Sequence, residues 1–133
     1  MNIPNCPFCN PEREIIFRSA HCYAIYDHYP VNPGHVLVIP NRHTGNYFDL
    51  NQDEIRDLWD MVSDIKDFLD GKHKPDGYNI GFNVGQSAGQ TIDHVHVHVI
   101  PRYAGDMEDP TGGIRHVIPE KGNYHFQFSN KKP

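Results

Sequence analysis

The stretch His94-Val95-His96-Val97-His98-Val99-Ile100 constrains this chain more than any other part of it. Strict alternation is the period of a β-strand, so the valines face one way and the imidazoles the other, about 6.8 Å apart per two-residue step. The β-branched side needs an apolar layer behind it, which leaves a polar row in front. Histidine has no special strand propensity, so three at alternate positions call for a chemical reason. A single metal ion is an awkward one. His94 and His98 lie about 13.6 Å apart along a straight strand, so two of the imidazoles can share a tetrahedral ion at ~2.1 Å but not comfortably all three. Catalysis suits the row better, because a neutral imidazole is a nucleophile at pH 7 and its neighbour can bind charge or donate a proton. His96 has such a neighbour on each side.

The rest of the chain supplies the layers. With 133 residues, the prior is a single domain over 1–133. Its expected core runs from about 6 to 103, and an irregular tail without periodicity, 104–133, is expected to drape over the domain or a partner subunit. Short β-rich runs occur at Ile15–Phe17, Cys22–Tyr26 and His35–Ile39, bounded by turn residues, with two more expected over Tyr78–Val84 and His94–Ile100. Between Asn51 and Leu69 the apolar positions Ile55, Leu58, Trp59, Val62, Ile65 and Leu69 recur at helical spacing. Asn51 with Glu54 resembles a capping box, and Gly71 stands where the helix is expected to stop. The fold class expected is α+β: an antiparallel sheet of about five strands with one long helix packed on it.

The formal charge of −5 argues against general affinity for nucleic acid or an anionic membrane, so any anion must be met by a local site. The loop Gly85 to Thr91 offers backbone N–H groups just before the histidine row. Three cysteines cannot build a disulfide framework, and Met1 leads into Asn2 and Pro4 without a signal-like region, so a reducing, cytoplasmic setting is expected. Cys6-Pro7-Phe8-Cys9 has the spacing of a metal knuckle or a redox pair. Asn10-Pro11 makes the helix that a redox pair wants doubtful, which favours zinc. Two further ligands are then required, and Cys22, His21, His28, His43 and His94 are all available by type.

The histidine alternation, preceded by Ala88-Gly89-Gln90-Thr91 and far upstream by Pro33-Gly34-His35-Val36-Leu37-Val38-Ile39-Pro40, resembles the histidine triad family of nucleotide hydrolases and transferases. The stretch Pro101-Arg102-Tyr103-Ala104-Gly105-Asp106 is more similar to the dinucleoside-polyphosphate-hydrolysing, fragile-histidine-triad branch than to the purine-nucleoside phosphoramidases. The resemblance implies a hydrolase that cleaves dinucleoside polyphosphates or related adenylyl compounds at the α-phosphate. His96 would be the nucleophile and form a nucleotidyl-histidine. His98 would contact the phosphate and assist the leaving group, and His35 would hold the nucleophile's orientation. It further implies phosphate contacts from Asn83, Gln90 and Thr91, a ribose contact from Asp27, and an apolar base slot near Phe8, Ile25 and His28. It also implies a structural zinc on Cys6, Cys9, His43 and His94, and a homodimer. A nucleotide phosphorylase or phosphoramidase working through the same intermediate is the neighbouring expectation. A zinc-stabilised nucleotide-binding module without turnover is the expectation from another class.

Overall fold

The computed structural model describes residues 3–124. The β-branched and aromatic runs pair into one antiparallel sheet of five strands: β1 (Ile15–Arg18), β2 (Cys22–Tyr26), β3 (Val36–Pro40), β4 (Gly77–Gly81) and β5 (Val97–Arg102). Their order is β1-β2-β3-β5-β4, so β5 is inserted beside β3 and carries its histidine into the middle of the sheet. The register sets Ile25 opposite Leu37 and Leu37 opposite His98, a row running across three strands on one face.

The helix α1 (Gln52–His73) packs on the opposite face, mainly against β2 and β3. Its start is chemically specified. The Asn51 side chain accepts from the Glu54 N–H at 2.9 Å, and the Glu54 carboxylate accepts from the Asn51 N–H at 3.0 Å, a complete capping box. Glu54 is buried yet stays ionised, because Arg42 grips it with two hydrogen bonds of 2.9 Å and holds its carboxyl below the usual range. This pair ties the helix start to the exit of β3. Leu58, Met61, Val62, Ile65 and Leu69 then bury one stripe against Ala24, Val36, Val38, Val97 and Val99, each large side chain contributing roughly 1.5–3 kcal/mol. The helix runs past the expected stop at Gly71, which faces open space, and ends where Lys74 takes the left-handed conformation (φ 50°) with Pro75 following. Packing of Leu69 and the Lys74 N–H bond to Leu69 O set the end, not the glycine.

Both late strands differ from expectation. β4 ends at Gly81, short of Val84, and β5 begins at Val97, so His94 and His96 precede the ladder. Their backbone and side chains are held elsewhere: Val95 N–H donates to Thr44 O at 2.8 Å, and the His94 ring bonds Pro40 O. The facing of the motif survives this change, since Val95, Val97 and Val99 lie in the helix-side core while the histidines point to the other side. That other side carries a second apolar cluster of Cys6, Phe8, Tyr23, Ile25, Leu37 and Ile39, closed by the N-terminal segment. The Tyr23 hydroxyl donates to Phe8 O and pins that segment to the sheet. The tail passes along β4 as two 3-10 turns, Gly113–Val117 and Pro119–Lys121, with Ile114 against Gly81. Arg115 bonds Lys121 O and covers the Tyr124 ring, so it serves the tail itself. The remainder of the expected tail lies outside the described residues.

Candidate active site and metal centre

The histidine face opens into a cleft of about 780 Å³, a volume suited to a nucleotide. Ile25 and Leu37 floor it, Phe8 and Ile92 form apolar walls, and Asp27, Asn83, Thr91, His96 and His98 supply polar groups. Among the described residues lining it, Arg13 is the one permanent cation, its guanidinium donating to His28 Nδ1. Phe8, Ile25 and His28, expected near a base slot, all line the cleft. His35 lies just beneath, only 2% exposed.

Hydrogen bonds assign the protons on these rings. The Val31 backbone N–H donates to His35 Nδ1 at 3.0 Å, so that nitrogen carries a lone pair and the His35 proton sits on Nε2. This Nε2–H is 3.0 Å from His98 Nδ1 and 3.3 Å from an Asp27 carboxylate oxygen. His98 therefore accepts at Nδ1 and carries its own proton on Nε2, the nitrogen left for the cleft. His96 is arranged the other way round: its Nδ1–H donates to His94 O at 2.8 Å, which leaves Nε2 with a free lone pair. Phe8 holds the ring edge-on at 4.9 Å between centroids. A lone pair and an N–H donor thus stand side by side, with ring centroids 5.2 Å apart.

Burial keeps this set neutral. His35, His96 and His98 are all pushed below the ordinary imidazole value by loss of water, with His98 brought to about 4 because His96 and His35 crowd it as well, partly opposed by Asp27. Asp27, His35 and His98 have the donor types of a metal site. The proton assignment argues against that use, since His35 Nε2 holds a proton where an ion would need a lone pair.

The metal-type cluster lies next door. The Cys6 and Cys9 thiols and the Nδ1 atoms of His43 and His94 all lie within 4.8 Å of one another. The sulfur-to-nitrogen distances are 3.4 Å for Cys6 to His94, 3.3 Å for Cys9 to His43 and 3.6 Å for Cys9 to His94. A tetrahedral zinc with ordinary bond lengths requires such edges to be about 3.5 Å. His94 is prepared for the role, because its Nε2–H donates to Pro40 O at 2.7 Å and so leaves Nδ1 unprotonated toward the thiols. The cysteine pair occupies a turn, not a helix start, which fits a metal knuckle better than a redox motif. Cys22 faces the helix-side core, with its thiol pushed up to about 12, and His21 and His28 also lie outside this group.

The structure brings together most residues singled out from sequence. Gln90 is the exception in orientation: its side chain accepts from Gly85 N–H and donates to Gly45 O and Ile92 O, so it braces the loop instead of lining the cleft. Asn32, which no motif announced, joins Arg102 and Asp106 of the stretch 101–106 in a hydrogen-bond network at the turn before His35. Val31 acts through its backbone, for which a sequence has no signal.

With two neutral imidazoles paired in a nucleotide-sized cleft, the class is defined, and comparison with known proteins agrees. The chain belongs to the HIT domain family, whose sequence model matches residues 10–105. It is 35% identical over 102 residues to the bifunctional bis(5'-adenosyl)-triphosphatase/adenylylsulfatase of Arabidopsis thaliana, covering 77% of this chain and 57% of that protein. It is 37% identical over 103 residues to the bis(5'-adenosyl)-triphosphatase of Dictyostelium discoideum, covering 77% of this chain and 69% of that one. The chain thus spans little more than half to two-thirds of these relatives' lengths. A zinc-bound histidine triad protein from Mycobacterium smegmatis superposes with a TM-score of 0.71 at 32% identity, over 79% of this chain and 80% of that one. A HIT family protein from Bacillus anthracis does so with 0.73 at 27% identity, over 98% and 99%.

Proposed function

We propose that this protein hydrolyses dinucleoside polyphosphates or related adenylyl compounds at the α-phosphate through a nucleotidyl intermediate on His96. The observation that carries this reading is the proton assignment of the pair: a nucleophilic lone pair on His96 Nε2 beside an N–H donor on His98. The named activities of the Arabidopsis and Dictyostelium relatives support the substrate class.

In the first step a bond forms from His96 Nε2 to the α-phosphorus, and the bond from phosphorus to the bridging oxygen breaks. The remaining nucleoside polyphosphate leaves as an anion with both electrons and needs no proton. His96 keeps its Nδ1–H, so the ring becomes cationic, and the His94 carbonyl stabilises that charge. The His98 Nε2–H donates a hydrogen bond to the phosphoryl or leaving oxygen as negative charge grows there. Water then attacks phosphorus, the nucleotidyl bond to Nε2 breaks, and His96 departs as neutral imidazole while the water's proton passes to solvent. Two moderate displacements replace one difficult one. Asn83, Thr91 and the loop N–H groups would receive phosphate oxygens, Asp27 would accept from ribose hydroxyls, and the base would lie over Ile25 and Leu37. A zinc ion held by Cys6, Cys9, His43 and His94 would supply structural cross-linking and take no part in these steps.

The test is product analysis by mass spectrometry with a panel of adenylylated and guanylylated substrates, with and without inorganic phosphate. A mononucleotide and the complementary nucleoside polyphosphate formed without phosphate support hydrolysis. A phosphate-dependent product would indicate a phosphorylase, and preference for an amine leaving group a phosphoramidase. No turnover on any substrate would leave a binding module. A homodimer in the cytoplasm is part of the same proposal. Light scattering that returned a monomer at micromolar concentration would remove the dimer.

A further inference from the structure

The stretch Pro101–Asp106 lines no part of the cleft, yet it is tightly bonded. Arg102 donates from Nε and Nη2 to the two oxygens of Asp106 at 2.9 and 2.8 Å, and from Nη1 to Asn79 at 2.7 Å. The pair lies at the surface, but the Asp106 carboxylate is held from several sides, since it also accepts from the Tyr103 N–H at 2.9 Å. The same carboxylate accepts from Asn32 Nδ2 at 2.8 Å, and Asn32 donates also to Pro101 O at 3.0 Å. Tyr103 OH donates to Pro33 O at 2.6 Å. Gly34, at φ +89°, sits so close that an added Cβ would lie 2.9 Å from His73 Cδ2 and 3.2 Å from Pro101 Cγ. Asn32, Pro33 and Gly34 are therefore each held against the end of β5 and the turn that follows it. Val31, in the turn before His35, gives the N–H that fixes the His35 proton on Nε2.

We propose that the Arg102–Asp106–Asn32 clasp is a positioning device for catalysis: by holding the turn it keeps the Val31 N–H on His35 Nδ1, and so determines that His98 presents a proton, not a lone pair, to the phosphate. The inference rests on the reading of His96 and His98 as the reacting pair. The chain of cause is short. Without the Val31 bond only the Asp27 carboxylate, 3.3 Å from Nε2, still favours that tautomer, and the form of His35 with its proton on Nδ1, accepting at Nε2, gains population. His98 then turns its own proton toward His35 and offers a lone pair to the phosphate oxygen, which repels it. A bond of this kind shifts a tautomer ratio by about tenfold.

The experiment compares Asn32→Ala and Asp106→Asn with the wild-type full chain in its metal-loaded form. Tyr78→Phe, which loses a bond to Asp70 on the helix side, serves as a stability control. Nitrogen NMR of the imidazoles at pH 7 is expected to find His35 and His98 protonated at Nε2 in the wild type and in Tyr78→Phe, and mixed tautomers in the two clasp variants. With a dinucleoside triphosphate, kcat is expected to fall about tenfold while KM stays within about twofold, since no clasp atom meets the nucleotide. Unchanged tautomers in the clasp variants, or a kcat loss reproduced by Tyr78→Phe, overturns the proposal. Should the wild type not turn over, the proposed function falls, while the tautomer result still decides the clasp. Asn32→Ala removes only side-chain bonds at a half-buried position, so the test survives if Asp106→Asn does not fold.

Discussion

His94 and His96 are two residues apart, share a residue type, and face the same side of the sheet, yet one turns its free ring nitrogen toward two thiols and the other toward the cleft. The difference is which ring nitrogen a backbone carbonyl occupies. Pro40 O takes the His94 Nε2–H and leaves Nδ1 toward two thiols, whereas His94 O takes the His96 Nδ1–H and leaves Nε2 toward the cleft. One carbonyl hydrogen bond thus assigns each imidazole its exposed lone pair, and the neighbours decide what meets it. The two groups also share a residue, since the carbonyl of His94, itself in the Cys/His cluster, orients the His96 ring.

The sharpest way to break this contrast is to remove one imidazole at a time. His96→Asn should retain the fold, because the position is polar and half-buried, and should retain much of the nucleotide affinity. Turnover should drop by several orders of magnitude as the covalent route disappears. Steady-state kinetics beside a thermal melt check this. Acid-quenched wild type given an α-labelled substrate should carry label on His96, and a label on any other residue would sink the mechanism.

The metal side should behave in the opposite manner, losing stability first. Cys6→Ser with Cys9→Ser should abolish metal retention in protein purified without added zinc. It should also lower Tm by on the order of 10 °C, because a buried cross-link between the N-terminal segment, the loop after β3 and residue 94 is lost. Phe8 lies between the two cysteines and packs on His96, so KM should rise as the wall of the cleft loosens. A full zinc complement in the double variant would refute the assignment of the cysteine pair.

How much of this was legible from the chain depends on whether the deciding contact was local. The valine and histidine alternation, the Asn51 and Glu54 box and the stripe ending at Leu69 are near-neighbour patterns, and the structure retains each. The limits of β5 were not legible, because residues 94–96 are held by Pro40 O and Thr44 O, groups some fifty residues away in sequence. The helix outran Gly71 because an exposed glycine costs only about 1 kcal/mol against continued packing and the cap at Lys74. Gln90 sits in a motif that promises phosphate contact, but its amide found three backbone partners in its own loop and in Gly45. His43 was one of several ligands available by type, and only the return of the loop after β3 places it beside Cys9.

A smaller effect separates the two imidazoles of the cleft. His98→Asn should cost about 10²-fold or less on a polyphosphate substrate, since the leaving group is already a stable anion and asparagine keeps a donor. The cost should grow as the leaving group becomes more basic. A loss that does not vary across a series of leaving groups would mean that His98 serves only to bind the nonbridging oxygens.

The smallest effect is a titration. Burial, with His96 and His35 as crowding neighbours, lowers His98 to about 4, and the Asp27 carboxylate, 3.9 Å from its Nδ1, only partly opposes the shift. The sign follows from linkage. The unfolded chain takes up this proton near the ordinary value of about 6.5, well before the folded one does, so His98 adds stability above that pH and the contribution is lost as pH falls toward 4. Nitrogen or carbon NMR of the metal-loaded protein should find the His98 ring neutral at pH 5.5, with its proton on Nε2. Asp27→Asn removes the one nearby charge that favours imidazolium and should move the midpoint further down. A midpoint at or above 6.5, or an upward move in Asp27→Asn, would mean that water reaches the ring. The contrast between a donor on His98 and a lone pair on His96 would then no longer be fixed by the protein.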